Sequence, residues 1–225
     1  MKLPVLAALL ALGTAIAAPQ ARAQNVVPIE QEPRHVLKFQ NAHVRFFDVR
    51  LPPGYQTLWH HHQYDGVFVN IEPSQTRAQD LGGEPAVRPP RIVGDTYFSG
   101  YRTEPKTHRI ANIGETDYRV TDTEILTPCG GFQPTRDAEG QTLVVENERV
   151  RVTRLMIGPG ERLALPPGCG MLVSVDGGRL RFMGPDGDEE ASLRPAGYRW
   201  RDRRTPLSFV NIGTEVFHGV DIVVK

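Results

Sequence analysis

Past its first eighteen residues the chain has no apolar run long enough to cross a bilayer. No excess of either charge stands out, with 26 Lys and Arg against 26 Asp and Glu. That balance leaves no electrostatic footprint for nucleic acid or an anionic membrane surface. No window outside the N-terminus carries a helical stripe of apolar residues, which argues against a helical bundle. Cysteines number only two, Cys129 and Cys169. In an exported chain they form one disulfide or remain as two buried thiols. What is plentiful is glycine (22) and proline (19), spread along the chain as in a protein of many short strands joined by turns.

The N-terminus reads as a segment to be removed. Lys2 gives a positive start, an apolar run follows from Leu3 to Ala18, and Ala21-Arg22-Ala23 offers small residues at cleavage positions. This is the pattern of a secretory signal peptide over residues 1–23. No cysteine lies near the cut to take a lipid anchor. The expected mature chain is soluble, periplasmic or secreted, with a formal charge near −2 once Lys2 and Arg22 are gone.

The remaining chain repeats itself. In 41-NAHVRFFDVRLPPGYQTLWHHH-62 and 147-NERVRVTRLMIGPGERLALPPG-168, Asn41, Val44, Arg45, Pro53 and Gly54 fall on Asn147, Val150, Arg151, Pro159 and Gly160. Further on, 108-HRIANIGET-116 aligns with 207-LSFVNIGTE-215 through a shared Asn-Ile-Gly. Two copies of one unit follow: an N-terminal arm (24–34), a first domain (35–127), a Gly- and Pro-rich linker (128–140) and a second domain (141–225). Apolar and polar residues alternate in 43-HVRFFDVRL-51 and 149-RVRVTRLMI-157, and each run closes on a Pro-Gly turn. Segments 66–71, 118–126, 171–175, 179–183 and 219–225 read as strands too. The expected class is all-β, a sandwich or closed barrel of short antiparallel strands.

Three adjacent histidines, His60, His61 and His62, follow the Gly54 turn. Side chains alternate along a strand, so His60 and His62 share a face and His61 points away with Trp59. A divalent metal needs a further ligand, and His108 is the nearest donor along the chain. Together these residues resemble the cupin family. Gly54, five residues and His60-His61-His62 match its first motif, and His108, three residues and Asn112 match the end of its second. The resemblance covers both units and implies a bicupin: two tandem double-stranded β-helix (jelly-roll) barrels. It also implies one divalent transition metal on His60, His62 and His108, with Fe, Cu, Ni, Zn and Mn all compatible with an imidazole-rich site.

The departures are specific. The Glu expected three or four residues after the second histidine is replaced by Gly66 and Val67, leaving Asp65 one step early as a ligand or a histidine-orienting group. Tyr101, between the long polar loop 72–94 and His108, is a second candidate catalytic residue. That loop reads as a lid, a binding loop or a disordered excursion. At the constant repeat offsets, Pro166, Gly168 and Leu207 replace the three histidines, so the second barrel has no metal site. His35, His43 and His218 read as structural residues. The function implied is a mononuclear oxidoreductase of the dioxygenase kind acting on a small organic molecule. A metal-dependent isomerase or lyase and a non-catalytic ligand-binding protein are the alternatives, as a monomer or homodimer with no nucleic-acid partner.

Overall fold

The computed structural model describes residues 25–132, 139–202 and 206–225. The expected signal peptide and residues 133–138 of the expected linker lie outside them. In the first unit the strands are β1 (Val26–Pro28), β2 (His35–Gln40), β3 (Val44–Leu51), β4 (Trp59–His62), β5 (Asp65–Glu72), β6 (Thr76–Asp80), β7 (Ala86–Arg88), β8 (Thr96–Ser99), β9 (Lys106–Asn112) and β10 (Tyr118–Ile125). They form two five-stranded sheets, β1-β4-β9-β6-β7 and β2-β3-β10-β5-β8. In the second unit they are β11 (Gln141–Glu146), β12 (Val150–Ile157), β13 (Arg162–Leu165), β14 (Cys169–Ser174), β15 (Gly178–Gly184), β16 (Gly187–Leu193), β17 (Tyr198–Arg201), β18 (Leu207–Asn211) and β19 (Phe217–Val224). Their sheets run β11-β12-β19-β14-β17 and β13-β18-β15-β16.

The residues that repeat in sequence make the same bonds in both units. Asn41 Oδ1 accepts the backbone N–H groups of His43 and Val44, as Asn147 Oδ1 accepts those of Arg149 and Val150. Gly54 and Gly160 adopt φ of +78° and +77°, a left-handed turn that glycine takes without strain. Each donates its N–H to the carbonyl of the repeated asparagine, Asn112 or Asn211. Asn112 Nδ2 donates to the carbonyls of Leu51 and Thr116, and Asn211 Nδ2 to those of Ile157 and Glu215. The Asn-Ile-Gly repeat is therefore a structural staple that ties a turn to two strand ends.

The two units share a core. On the outward faces of the β2-β3-β10-β5-β8 and β11-β12-β19-β14-β17 sheets, Val44, Phe46, Val67, Val69 and Ile125 meet Val150, Val152, Met171, Val173 and Ile222 in one buried cluster. This explains why β10 is buried on both faces although its sequence alternates. Cys129 and Cys169 belong to the same cluster and are joined as a disulfide, which decides between the two readings of the pair. The interior of the second barrel is packed solid by Leu163, Leu165, Leu172, Leu180, Phe182 and Phe209. The first barrel has a smaller apolar cluster built on Phe47, Val49, Leu51, Phe68 and Val120, and polar groups fill the rest of its interior.

Candidate metal centre in the first barrel

A one-residue irregularity aims the histidines inward. Gln56 lies opposite Ala111, but three residues further along the pairing puts His60 opposite His108. Regular antiparallel pairing would reach only residue 59, so the chain carries one extra residue over 57–59. Because side chains alternate, that one residue exchanges the two faces of the strand. Leu58 within this bulge is exposed. Its carbonyl accepts from His60 Nδ1 at 2.9 Å, which assigns the ring proton to Nδ1 and leaves the Nε2 lone pair free. In the second barrel β13 and β18 pair regularly from Arg162–Val210 to Leu165–Leu207. The residue facing Leu207 is therefore Leu165, not the Pro166 that a constant repeat offset selects.

Four imidazoles cluster, one more than the sequence suggested, and the trio whose nitrogens lie in common reach is His35, His60 and His62, with His108 against His62. Ring centroids of His60, His62 and His108 lie 4.6 to 5.1 Å apart. Nε2 of His62 and Nε2 of His108 are 3.2 Å apart, a spacing that suits two nitrogens each about 2.1 Å from one ion. The fourth ring is His35, 4.5 Å from His60, brought in by β2 on the face it shares with Val49. One nitrogen each from His35, His60 and His62 falls within a common 4.8 Å. His35 Nδ1 meets the buried carboxylate of Glu32 at 2.7 Å, an arrangement that fixes the ring and its tautomer. Burial, with the charge of His35 next, lowers His60 to about 4; burial and the neighbouring rings hold His62 and His108 well below the usual histidine range. All three are neutral at pH 7. His60 Nε2, His62 Nδ1 and His108 Nδ1 are buried without a hydrogen-bond partner.

Two carboxylates from β10 reach the same interior. Asp122 is fully buried and neither of its oxygens has a partner; Oδ2 lies 3.8 Å from His62 Nδ1. Glu124, two residues on and on the same face, pairs with Arg45 at 2.6 Å. Burial pushes Asp122 well up, with the Glu124 charge adding, and burial pushes Glu124 up to about 7 against the pull of Arg45. Gly66 explains how Asp122 fits. A Cβ there would stand 2.9 Å from Asp122 Oδ1, so the carboxylate occupies space that a side chain after the second histidine would otherwise fill. Buried donors and acceptors are ordinarily paired, so the orphaned His60 Nε2 and the close Nε2 pair of His62 and His108 fit a bound cation, with Asp122 facing His62 from its Nδ1 side. Nitrogen-rich donors of this kind suit a divalent transition metal.

His35, His62 and His108 open onto a cavity of about 370 Å³, walled by Phe68, Tyr97, Tyr101, Tyr118, Val49 and Ile110. Tyr101 lines this cavity, with its ring 4.9 Å from that of His62. Burial raises the Tyr101 phenol, which keeps it a proton donor at neutral pH. Asp65 is elsewhere, and its candidacy for the chemistry does not fit this position. Its Oδ1 accepts the Arg102 backbone N–H and its Oδ2 accepts Arg149 Nε of the second unit at 3.0 Å. It faces away because it shares the outward face of β5 with Val67, on the opposite side from Gly66 and Phe68. The loop 72–94 contains the β6–β7 hairpin, and Arg88 and Pro89 line the cavity mouth together with Arg91 that precedes β8. His61 bonds outward to Thr107, and Trp59 lies beneath Arg109.

Comparison with protein-family models and with curated protein sequences finds no match. Solved structures do match. A cupin 2 conserved barrel domain protein from Leptotrichia buccalis is 14% identical, with 83% of this chain and 86% of that chain covered at a TM-score of 0.50. The oxalate decarboxylase of Bacillus subtilis, described with Mn(II) centres, is 12% identical over 81% and 69%, with a TM-score of 0.56. A salicylate 1,2-dioxygenase from Pseudaminobacter salicylatoxidans is 11% identical over 81% and 71%, also at 0.56. The chain has the cupin fold, in its two-barrel form.

Proposed function

We propose that the chain is an exported, mononuclear metal-dependent bicupin, an oxidoreductase of the dioxygenase kind acting on a small organic molecule. One observation carries the reading: the buried, neutral His62 and His108, their Nε2 atoms 3.2 Å apart, line a cavity of ligand size, with the buried His60 ring 4.6 Å from that of His108. His60, His62 and His108 would hold the ion, with His35 beside them. A bound divalent metal would supply the chemistry, Fe or Cu by activating dioxygen on a bound substrate, Mn, Ni or Zn as a Lewis acid.

The protein's own groups do the rest. The Leu58 carbonyl and the Glu32 carboxylate set the tautomers of His60 and His35. Phe68 and the tyrosines shield the cavity from bulk water, which strengthens every electrostatic contact inside. Tyr101 keeps its proton and can donate to a substrate oxygen beside His62. The disulfide supports an oxidising compartment, in line with the expected signal peptide.

A Lewis-acid lyase or decarboxylase is the second reading, favoured by the likeness to a Mn(II) oxalate decarboxylase. Elemental analysis of protein purified without an affinity tag tests the site: about one metal ion per chain is expected. A His60→Ala/His62→Ala variant should lose it while staying folded. Substrate-dependent oxygen uptake by the loaded protein supports the oxygenase, and turnover without oxygen uptake supports the lyase. Wild-type protein that holds no transition metal after exposure to Fe(II), Mn(II) and Zn(II) would defeat both.

A further inference from the structure

The lining of the cavity carries a charge pattern that the metal reading does not use. Three cations, Arg88, Arg91 and Lys106, face it, and no Asp or Glu is among its described lining residues. Two of the three are already neutralised. Arg91 binds Asp95 at 2.7 Å and lies over the Tyr97 ring, and Lys106 binds Asp80 at 3.0 Å. Arg88 has no carboxylate partner among the described residues. It stands at the end of β7 opposite Thr76, and its charge reaches Tyr101, Tyr118 and His108. An unpaired guanidinium at the mouth of a partly apolar cavity attracts anions and presents a planar fork suited to a carboxylate.

The walls select the remainder of the ligand. Phe68 and Tyr97 stack at 5.0 Å, and Tyr101 meets Phe68 edge-on at 6.1 Å. With Tyr118 these rings offer flat faces and edges to a planar ligand, and no side-chain amide is among the described lining residues. Among its described residues the second barrel has no comparable lining, because leucines and phenylalanines fill its interior.

We propose that the first barrel binds a small aromatic monoacid, its ring among Phe68, Tyr101 and Tyr118 and its carboxylate on Arg88. This deepens the proposed function and rests on it only in taking this cavity as the working site; the ion is not needed for binding. The test uses full-length protein stripped of metal, titrated calorimetrically with benzoate, benzamide and cyclohexanecarboxylate. Benzoate should bind, and its neutral and non-aromatic counterparts should bind about tenfold more weakly or worse. Arg88 is exposed, so Arg88→Gln should fold normally. It should weaken benzoate by about tenfold or more and leave benzamide unchanged.

Equal binding of benzoate and benzamide, or no effect of Arg88→Gln on benzoate, overturns the anion assignment. Equal binding of benzoate and cyclohexanecarboxylate overturns the aromatic one, and no benzoate binding overturns the whole. Metal content is measured separately on the same preparations. A protein that holds metal but not benzoate fails this proposal alone, and one that binds benzoate but never metal fails only the metal reading.

Discussion

Asp122 and Asp221 hold the same place in the two barrels, on the interior faces of β10 and β19, yet only Asp221 has a cation. Arg201 Nη1 reaches both Asp221 oxygens at 2.6 Å. In the first barrel the residue paired with Gly66 is Ser99, as Arg201 is paired with Gly170 in the second, so the guanidinium has no counterpart there. Among the described residues, the histidine-bearing barrel has Ser99 where the second has Arg201, its own Arg45 pairing with Glu124 instead, and the interior cluster of the second barrel holds no histidine. Asp122 therefore serves His62, 3.8 Å from its Nδ1, as the carboxylate that steadies a metal-binding ring. Asp122→Asn should fold and lose about 10- to 100-fold in metal affinity. Asp221→Asn should leave metal affinity alone but cost about 3–5 kcal/mol by leaving Arg201 buried and unpaired. Competition with a chelator and urea denaturation read the two effects; unchanged affinity in Asp122→Asn would contradict the pairing.

Gly66 has to stay small. A Cβ would meet Asp122 Oδ1 and the Phe68 ring at 2.9 Å, closer than such contacts occur without movement. Gly66→Ala should cost about 1–3 kcal/mol of stability by crowding a buried site. It should also weaken metal binding, because Asp122 is displaced from His62. A methyl group accommodated with neither change would show that Asp122 does not need this space.

The bulge at residues 57–59 makes a register prediction. Deleting Leu58 restores regular pairing between β4 and β9 and turns His60 and His62 to the outer face. The deletion variant should retain β-type circular dichroism and hold less than about a tenth of the wild-type metal. Leu58→Ala keeps the extra residue and should bind metal normally. Undiminished metal in the deletion variant would mean that another residue takes up the bulge.

These cases mark what the sequence makes legible. Period-two alternation in 43–51 and 149–157, with Gly54 and Gly160 at their ends, was enough to find paired β units, because those residues form the same turns in both copies. That the rings of His60, His62 and His108 gather was legible from spacing. His35 was not, since β2 mixes buried and exposed positions without alternation and its pairing shifts between Leu37 and Phe39. The available signal was Glu32, three residues earlier. Asp122 and Glu124 escaped because alternation in 118–126 distinguishes two faces without saying that both are buried, one of them by the other barrel. Asp65 drew attention by its proximity in sequence to the histidines, while its side chain faces the second unit.

Glu124 gives the pH prediction, and its sign is opposite to that of the histidines. The folded protein holds the Glu124 proton up to about 7, whereas the unfolded chain releases it near 4.5. Between those values the folded state binds more protons, so this group makes metal-free protein less stable as pH rises from about 4.5 to 7. His60, lowered to about 4 from 6.5, does the reverse: the unfolded chain binds the extra proton, and stability rises with pH over that window. Glu124→Gln removes the first slope and keeps the second. The stability of the variant relative to wild type should therefore grow by on the order of 2 kcal/mol from pH 5 to pH 7.5 and level off above pH 8. Urea denaturation of both metal-free proteins across that range reads the difference directly. A gap that stays constant with pH would mean that Arg45 keeps Glu124 ionised throughout, leaving Asp122 as the carboxyl that holds the buried proton.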